Sequence, residues 1–476
     1  MIFLKISYAV LLPTFAGFLF ISYFYSFDDE QSFLERLSLG FGLGIGITSF
    51  AMFLLGILGI EFNLLGVSLI PFSLIILFAY LIYKDNMPLR QVLRLRQPAL
   101  ANSFKHLSKM EKLLSLFFIS WLVLRLFFII HQSFIWPVHA PDSMMNWSLG
   151  AKFFFYEKGL ALEDSNEFFF GRGYRTFLSY PLHLPLMQVW FSLCVGEFND
   201  VFVKLWNVVF FISILCLIYS ALKREVSLFA AILATFFLSS VPLLSYHSIT
   251  AYADLPLSYY TLVSTIILGR YMNIAIGEKR NARKLLFILG AYIGLGMWTK
   301  LEGVFLVIAF SGTIVIFLLL KKLALRSLFA FIVPIFVIAI PWHTFLFANN
   351  IASERGEGFL KSGLHFEVLP VMWDQIMYSA NFNIIFFFFF STLLLSVKIV
   401  LGSNIKYLVT TLFFIMGLFL VTYITSGNYL YTMNLMAVNR NILIFIPMMY
   451  YIVTLIAAKN LNPIEKYQNG LSKRLL

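Results

Sequence analysis

The chain has 476 residues, of which 60% are hydrophobic and only 12% are charged. A soluble protein of this length needs more charged residues to cover its surface, so this composition excludes a soluble globular fold. The net charge of +12 does not indicate nucleic-acid binding, because basic residues of membrane proteins collect in short cytoplasmic loops. Apolar segments of about 20 residues recur along the chain, and this is the length of a membrane-crossing helix. The sequence therefore predicts an all-α polytopic membrane protein.

Three apolar segments, at 6–25, 37–60 and 62–83, open the chain, and a basic stretch from Lys84 to Lys112 follows them. Basic loops stay in the cytoplasm. Because three spans, an odd number, precede this basic stretch, the N-terminus is placed outside. We treat 1–112 as an N-terminal three-span segment with its cytoplasmic loop.

Further basic stretches at Arg270 to Lys284 and at Lys321 to Arg326, with the pair Lys223 and Arg224, orient the later spans. These spans are predicted at 113–134, 201–222, 227–245, 256–270, 285–298, 304–320, 327–347, 384–400, 407–425 and 442–458. Together with the first three they make about thirteen spans. A transmembrane module at 113–458 and a basic cytoplasmic tail at 459–476 follow from this threading.

One short apolar segment, at 180–196, is left out of these spans. An odd number of crossings must separate the outer Asp142 from the cytoplasmic Lys223, and 201–222 already supplies one. It opens with two prolines and carries His183, which favours an interfacial or re-entrant helix over a crossing one. The alternative is that it crosses and that Lys223 lies outside.

The threading places most of the unusual polar residues on the outer side. The first outer loop, 136–179, interleaves aromatic and charged residues, which predicts interfacial helices there. The outer residues are Asp142, Lys152, Glu163, Asp164, Glu167, Arg172 and Arg175 in this loop, then His247, Tyr252 and Asp254, then Lys300 and Glu302, then Glu354, Arg355 and Glu357, and last Asn439 and Arg440.

Ionisable groups at the ends of spans are costly unless they are solvated, paired or bound to a ligand. Lys300 and Arg440 are suited to hold a phosphate that enters from the lipid layer. A neighbouring carboxylate can remove a proton from an incoming hydroxyl. These three parts together describe sugar transfer from a polyprenyl-phosphate carrier.

Asp142, "SYPLHLPL", "YADLPLSYY", "GLGMWTKLEGV" and "NRNILIFIP" occur in this order. This set resembles the membrane glycosyltransferases with the C-type fold, most of all the bacterial relatives of the dolichyl-phosphate-mannose protein mannosyltransferases and of the aminoarabinose transferase. The resemblance covers 113–458.

The resemblance implies that fold, with Asp142 as the catalytic base and Asp254 as a second acid that shapes the site. It also implies that Lys300 and Arg440 contact the donor phosphate, and we add Tyr252 to that set. Lys152, Glu302, His183 and His247 are candidate substrate contacts. Three extra spans before the usual first one, and Asp142-Ser143 in place of an acidic pair, depart from the family pattern.

Each of these residues also has a structural interpretation. Asp142 and Asp254 each suit a helix N-cap. Lys300 suits a pair with Glu302 or a snorkelling position, and Arg440 suits an interface anchor. Lone histidines near an interface are usually structural, and no spacing of His, Cys and Asp indicates a zinc site.

The sequence thus predicts an inverting glycosyltransferase, without metal or other cofactor, that acts at the outer face of a bacterial cytoplasmic membrane. Its partners are a polyprenyl-phosphate sugar, membrane lipid and an acceptor glycan, lipid or protein. The alternatives are a polysaccharide polymerase or ligase that uses lipid-linked donors, and a secondary transporter. A transporter requires charges at mid-membrane depth and broken helices.

Overall fold

The computed structural model describes residues 2–26, 31–93, 104–160, 179–273, 279–351 and 363–461. Every regular element in these ranges is a helix, so the prediction of an all-α protein is confirmed.

The N-terminal segment contributes three long helices and one short one. They are α1 (Ile2–Phe24), α2 (Phe33–Ile57), α3 (Leu64–Lys84) and α4 (Leu89–Leu93).

The middle of the chain alternates long helices with short ones near the predicted outer side. These are α5 (Lys109–Ile135), a π-helix (Ser143–Trp147), α6 (Ser148–Tyr156), α7 (His183–Val195), α8 (Leu205–Glu225), α9 (Leu228–Ser239), α10 (Pro242–Ser248), α11 (Asp254–Asn273), α12 (Lys279–Thr299), α13 (Gly303–Leu319) and α14 (Leu325–Ala348).

The last part contains several broken helices. It comprises α15 (Val368–Met377), a 3-10 turn (Ala380–Phe382), α16 (Ile385–Leu395), α17 (Val397–Leu401), α18 (Ile405–Thr425), α19 (Tyr429–Met433), α20 (Val438–Leu443) and α21 (Ile446–Leu461).

Side-chain caps explain where several long helices begin. Ser32, Asn63 and Ser227 each accept a hydrogen bond from a backbone N–H in the first turn of the helix that follows. Ser108 and Glu111 form a reciprocal capping box at the start of α5. Each cap satisfies a backbone donor that the helix itself leaves unpaired.

Among the described residues, seven helices are long and apolar enough to cross a membrane, and an eighth span results if α9 and α10 count as one. The total of thirteen spans therefore stays a prediction. The segment 227–245, predicted as one span, is bent by 70° between α9 and α10. Pro242 follows the break, where its missing N–H and fixed φ suit the start of a new helix.

Helix α7 lies where the sequence left a choice between a crossing and a non-crossing helix. Its 13 residues reach only about 20 Å, which is short of the roughly 30 Å hydrocarbon layer. It is enclosed on all sides, since Leu184, Trp190 and most other residues of the helix are buried. An interfacial helix would expose a polar face, so of the two predicted non-crossing forms the enclosed α7 fits the re-entrant one better.

Helix α2 passes through the core of the predicted module, and residues from both sides of 112 form one hydrophobic core. The hydroxyl of Tyr259 in α11 donates to the carbonyl of Ser38, and that of Tyr292 in α12 donates to the carbonyl of Leu39, each at 2.6 Å. The N-terminal segment therefore shares its core with the helices that follow.

A buried ion cluster lies at the predicted cytoplasmic end. Glu35 in α2 is buried and pairs with Arg270 in α11 and, at 3.8 Å, with Arg224 in α8. Arg224 and Arg270 were both predicted to be cytoplasmic, and the structure places them together. Since Arg270 and Asp254 are sixteen residues apart on α11, the two ends of that helix are separated by about 24 Å.

The first testable prediction concerns the contact between α1 and α2. A Cβ atom at Gly44 would lie 1.8 Å from the carbonyl oxygen of Pro13, whereas one at Gly417 in α18 would meet nothing within 4 Å. We expect Gly44→Ala to destabilise the protein by about 1–3 kcal/mol, because backbone atoms have to move apart.

The measurement is the melting temperature in detergent, followed by fluorescence-detected size exclusion. Gly417→Ala is the matched control and should leave the melting temperature unchanged or higher, because alanine favours helix. Equal melting temperatures of the two variants would contradict the packing of α1 on α2.

Candidate active site

A buried carboxylate, Asp254, lies at the centre of the predicted outer residues. Its Oδ1 accepts a hydrogen bond from Lys300 Nζ at 2.8 Å. Its Oδ2 accepts from Arg440 Nε at 3.1 Å and from Arg440 Nη2 at 2.9 Å. Asp254 is fully buried, and Lys300 is 5% exposed. Residues 186 positions apart in the sequence therefore meet in one desolvated ion cluster.

Arg440 connects this buried acid to a more accessible one. Its Nη1 donates to Asp142 Oδ2, and the Asp142 side chain is 41% exposed. Burial lowers the pKa of Arg440, but the carboxylates of Asp254 and Asp142 outweigh it and raise the pKa above its ordinary value. Asp142 precedes the π-helix without forming a capping bond, so the N-cap interpretation does not account for it.

Lys300 is positioned by the tight turn between α12 and α13. A Cβ atom at Gly303 would lie 2.2 Å from the carbonyl oxygen of Gly296, so only glycine allows α13 to start this close to α12. Lys300 Nζ also donates to Asn441 Oδ1 at 3.2 Å and lies 3.4 Å from Glu302 Oε2. The predicted pairing of Lys300 with Glu302 thus exists beside its bond to Asp254.

Tyr252 and His247 complete the cluster on the side of α10. The guanidinium of Arg440 lies 4.2 Å from the centre of the Tyr252 ring, which is a cation–π geometry. Burial raises the pKa of the Tyr252 phenol to about 12, against the opposing charge of Arg440. His247 Nδ1 lies 3.9 Å from Asp254 Oδ2, which is too long for a hydrogen bond.

Two candidate residues lie apart from this cluster. His183 is buried in α7, where its ring bonds to Ser49 Oγ at 2.6 Å and to the Tyr260 hydroxyl at 3.2 Å. Lys152 is 41% exposed and lies 3.7 Å from Asp200. Both contacts are structural in kind, and neither brings the residue to Asp254 or Asp142.

Several other predicted outer residues lie outside the described part of the chain. They are Glu163, Asp164, Glu167, Arg172, Arg175, Glu354, Arg355 and Glu357.

Sequence reasoning missed the polar residues that support the cluster. Asn441 donates to the Tyr423 hydroxyl at 2.6 Å while its Oδ1 accepts from Lys300. Asn207 in α8 donates to the carbonyl oxygens of His247 and Tyr252, at 3.1 and 2.9 Å, and so holds the chain between α10 and α11. Asn441 adjoins Arg440 in "NRN", and this proximity to a candidate residue could have indicated it. Asn207 is a lone polar residue in an apolar helix, and the sequence gave no signal for it.

Three carboxylates, those of Asp142, Asp254 and Glu302, face the two cations Lys300 and Arg440. A phosphate bound at these cations has to displace a carboxylate, and the most exposed one is Asp142. Within the described residues, no group of three or more His, Cys, Asp or Glu side chains is arranged to hold a metal ion. The absence of a metal from the reaction stays a prediction.

The fold and this cluster define a multi-pass helical membrane protein with a buried acid–base site at one end of its helices. Residues 188–355 match the family model of dolichyl-phosphate-mannose-protein mannosyltransferase. This segment contains Asp254 and Lys300, and the resemblance predicted from the motifs is confirmed over it.

The chain is also similar to the crystal structure of ArnT from Cupriavidus metallidurans in the apo state, with a TM-score of 0.48 and 14% sequence identity. The match covers 71% of this chain and 59% of that one, so this chain spans about three fifths of the solved protein. No curated protein matches the sequence.

The second testable prediction is that Asp254→Asn strongly destabilises the protein. The substitution leaves Lys300 and Arg440 without their shared counter-ion, and removing one partner of a buried ion pair costs about 3–5 kcal/mol. The double variant Asp254→Asn, Lys300→Gln should lose less than the sum of the single variants, because the uncompensated lysine charge is also removed.

Unfolding of the purified variants in detergent measures both effects. Lys152→Gln is the control, since a half-exposed ion pair contributes only about 0–1 kcal/mol. Strict additivity in the double variant would show that Asp254 and Lys300 are not coupled.

Proposed function

We propose that this protein is an inverting glycosyltransferase that moves a sugar from a polyprenyl-phosphate donor to an acceptor hydroxyl. The observation that carries the proposal is the bridge from the buried pair Asp254 and Lys300, through Arg440, to the accessible Asp142. It joins two cations that are suited to a phosphate to one carboxylate that is 41% exposed. The family match over residues 188–355 supports a lipid-phosphate donor.

In the proposed reaction, Asp142 accepts the proton of the acceptor hydroxyl. The acceptor oxygen then forms a bond to the anomeric carbon on the face opposite the phosphate. The bond between that carbon and the phosphate oxygen breaks, and the electron pair leaves with the polyprenyl phosphate. Lys300 and Arg440 stabilise the negative charge that grows on this leaving group.

Donor binding is coupled to the release of the base. Arg440 holds Asp142 and Asp254 together, and Asp142 is the more exposed of the two. A donor phosphate at Arg440 competes with Asp142, which frees its carboxylate for the acceptor. Asp254 remains with Lys300 and acts as the positioning residue for both cations.

The other predicted contacts divide by their distance from this cluster. Tyr252 orients Arg440 through its ring, and Glu302 and His247 border the cations and Asp254, so these three keep a proposed role in substrate binding. The contacts of His183 and Lys152 lie outside this cluster, so we propose that His183 joins buried helices and that Lys152 pairs with Asp200 at the surface. Direct binding of the donor by these two has no support from their positions.

We propose that the site faces the outer side of a bacterial cytoplasmic membrane. The separation of about 24 Å between Asp254 and Arg270 along α11 supports this, because Arg270 joins the basic residues expected in the cytoplasm. The acceptor is a glycan, lipid or protein hydroxyl on that side.

The third testable prediction separates catalysis from donor binding. Asp142→Asn should reduce transfer by about 10²–10⁴-fold, since a positioned general base contributes that much. The same variant should bind polyprenyl phosphate at least as tightly as the wild type, because Arg440 has lost a competing carboxylate. Arg440→Gln should weaken that binding.

The assay follows the loss of label from a panel of polyprenyl-phosphate hexoses and pentoses in liposomes, and binding is titrated with unlabelled polyprenyl phosphate. Asp200→Asn is the matched control, since its carboxylate is 48% exposed and pairs with Lys152. Wild-type turnover by Asp142→Asn would refute the assigned base, and flux of a labelled solute without transfer would favour a transporter.

A further inference from the structure

A groove of about 350 Å³ lies between α5 and α10. One wall follows α5 through Trp121, Leu124 and Phe128, and the other is formed by Ser245 and Tyr246 of α10. The volume falls within the range of about 300–1,000 Å³ that is usual for small-molecule sites. The groove is therefore large enough for part of a lipid.

Arg125 lies in this groove, and its position within a spanning helix is unusual. It is ten residues from the end of α5, which places its Cα about 15 Å along the helix from that end. Its Nη2 and Nε donate to Ser245 Oγ at 2.8 and 3.2 Å. Among the described residues no carboxylate pairs with Arg125, so its charge is held in place but not neutralised within them.

The groove opens towards the lipid layer. Trp121 is 44% exposed, Leu124 46% and Phe128 54%, and these side chains lie on a helix that crosses the membrane by length and composition. An arginine at such a position is costly unless it has a partner, so it indicates a function. The exposed groove beside Arg125 can receive an anionic headgroup from the bilayer.

We propose that this groove binds an anionic phospholipid of the surrounding bilayer. Its phosphodiester pairs with the Arg125 guanidinium, and an acyl chain lies along Trp121, Leu124 and Phe128. One cation matches the single negative charge of a phosphodiester. The polyprenyl-phosphate sugar carries a phosphodiester as well, but phospholipids are the molecules that surround α5 in a bilayer, so we assign the groove to them.

This lipid site borders the proposed active site through α10. Ser245 holds Arg125 on one side of this short helix, and His247, two residues later, lies 3.9 Å from Asp254 on the other. The chain that follows carries Tyr252, which packs on Arg440. A lipid in the groove therefore supports the helix that positions part of the active site, although its binding does not depend on the proposed reaction.

The fourth testable prediction uses native mass spectrometry of the full chain, titrated with phosphatidylglycerol and with phosphatidylcholine. The wild type should retain phosphatidylglycerol more tightly than the zwitterionic lipid. Arg125→Gln should weaken phosphatidylglycerol binding about tenfold or more, because it removes a charge-assisted hydrogen bond. Arg326→Gln, at an exposed arginine near the start of α14, is the matched control and should change binding less than twofold.

A second variant guards against a folding defect of Arg125→Gln. Leu124→Trp keeps the charge but fills part of the groove, and it should also weaken binding. Equal retention by the wild type and both groove variants, or no preference between the two headgroups, would overturn the proposal. Displacement of the bound lipid by polyprenyl phosphate at lower concentration than by phosphatidylglycerol would assign the groove to the carrier and also overturn it.

Discussion

The buried carboxylate of Asp254 is the interaction on which the proposed active site depends. An isolated charge cannot remain ionised in a desolvated site without partners. Asp254 obtains two cations, Lys300 from the turn after α12 and Arg440 from α20. This requirement fixes three separate parts of the chain relative to one another. It also holds both cations in defined orientations, beside an acid, Asp142, that remains accessible.

Hydroxyl groups and small residues hold the long helices close together. Tyr259 and Tyr292 bond to backbone carbonyls of α2, and glycines allow α1 and α2 to approach to backbone contact. In a membrane such contacts matter more than burial of apolar surface, because lipid chains are as apolar as leucine. The buried Glu35 and its arginines join α2 to α8 and α11 at the opposite end.

The two sites that we propose for lipid phosphates lie at different depths along the helices. The cluster around Arg440 lies at the end of the helices, where the Asp142 side chain is 41% exposed. The groove at Arg125 lies along the flank of α5, beside apolar side chains that are exposed. The bend between α9 and α10 places α10 between the two sites. One side of α10 lines the groove, and His247 on the other side lies near Asp254. A straight span at this position would remove the wall that both sites share.

The sequence alone determined the all-helical membrane architecture and most of the cluster. Hydrophobic length marks a spanning helix directly, and charged residues stand out where apolar ones are expected. Asp142, Asp254, Lys300 and Arg440 were accessible to that reasoning because ionisable residues in such a chain are few. The family match over residues 188–355 includes two of the motifs on which the resemblance was based, "YADLPLSYY" and "GLGMWTKLEGV".

Only the tertiary structure decided which polar residues meet. It separated His183 and Lys152 from the cluster and added Asn207 and Asn441, because a contact between distant segments depends on helix packing, which periodicity does not encode. It also enclosed α7 and bent the span at Pro242, since both depend on the helices that surround them. Arg125 lies within the predicted span 113–134, but only the structure places it opposite Ser245 and beside a groove.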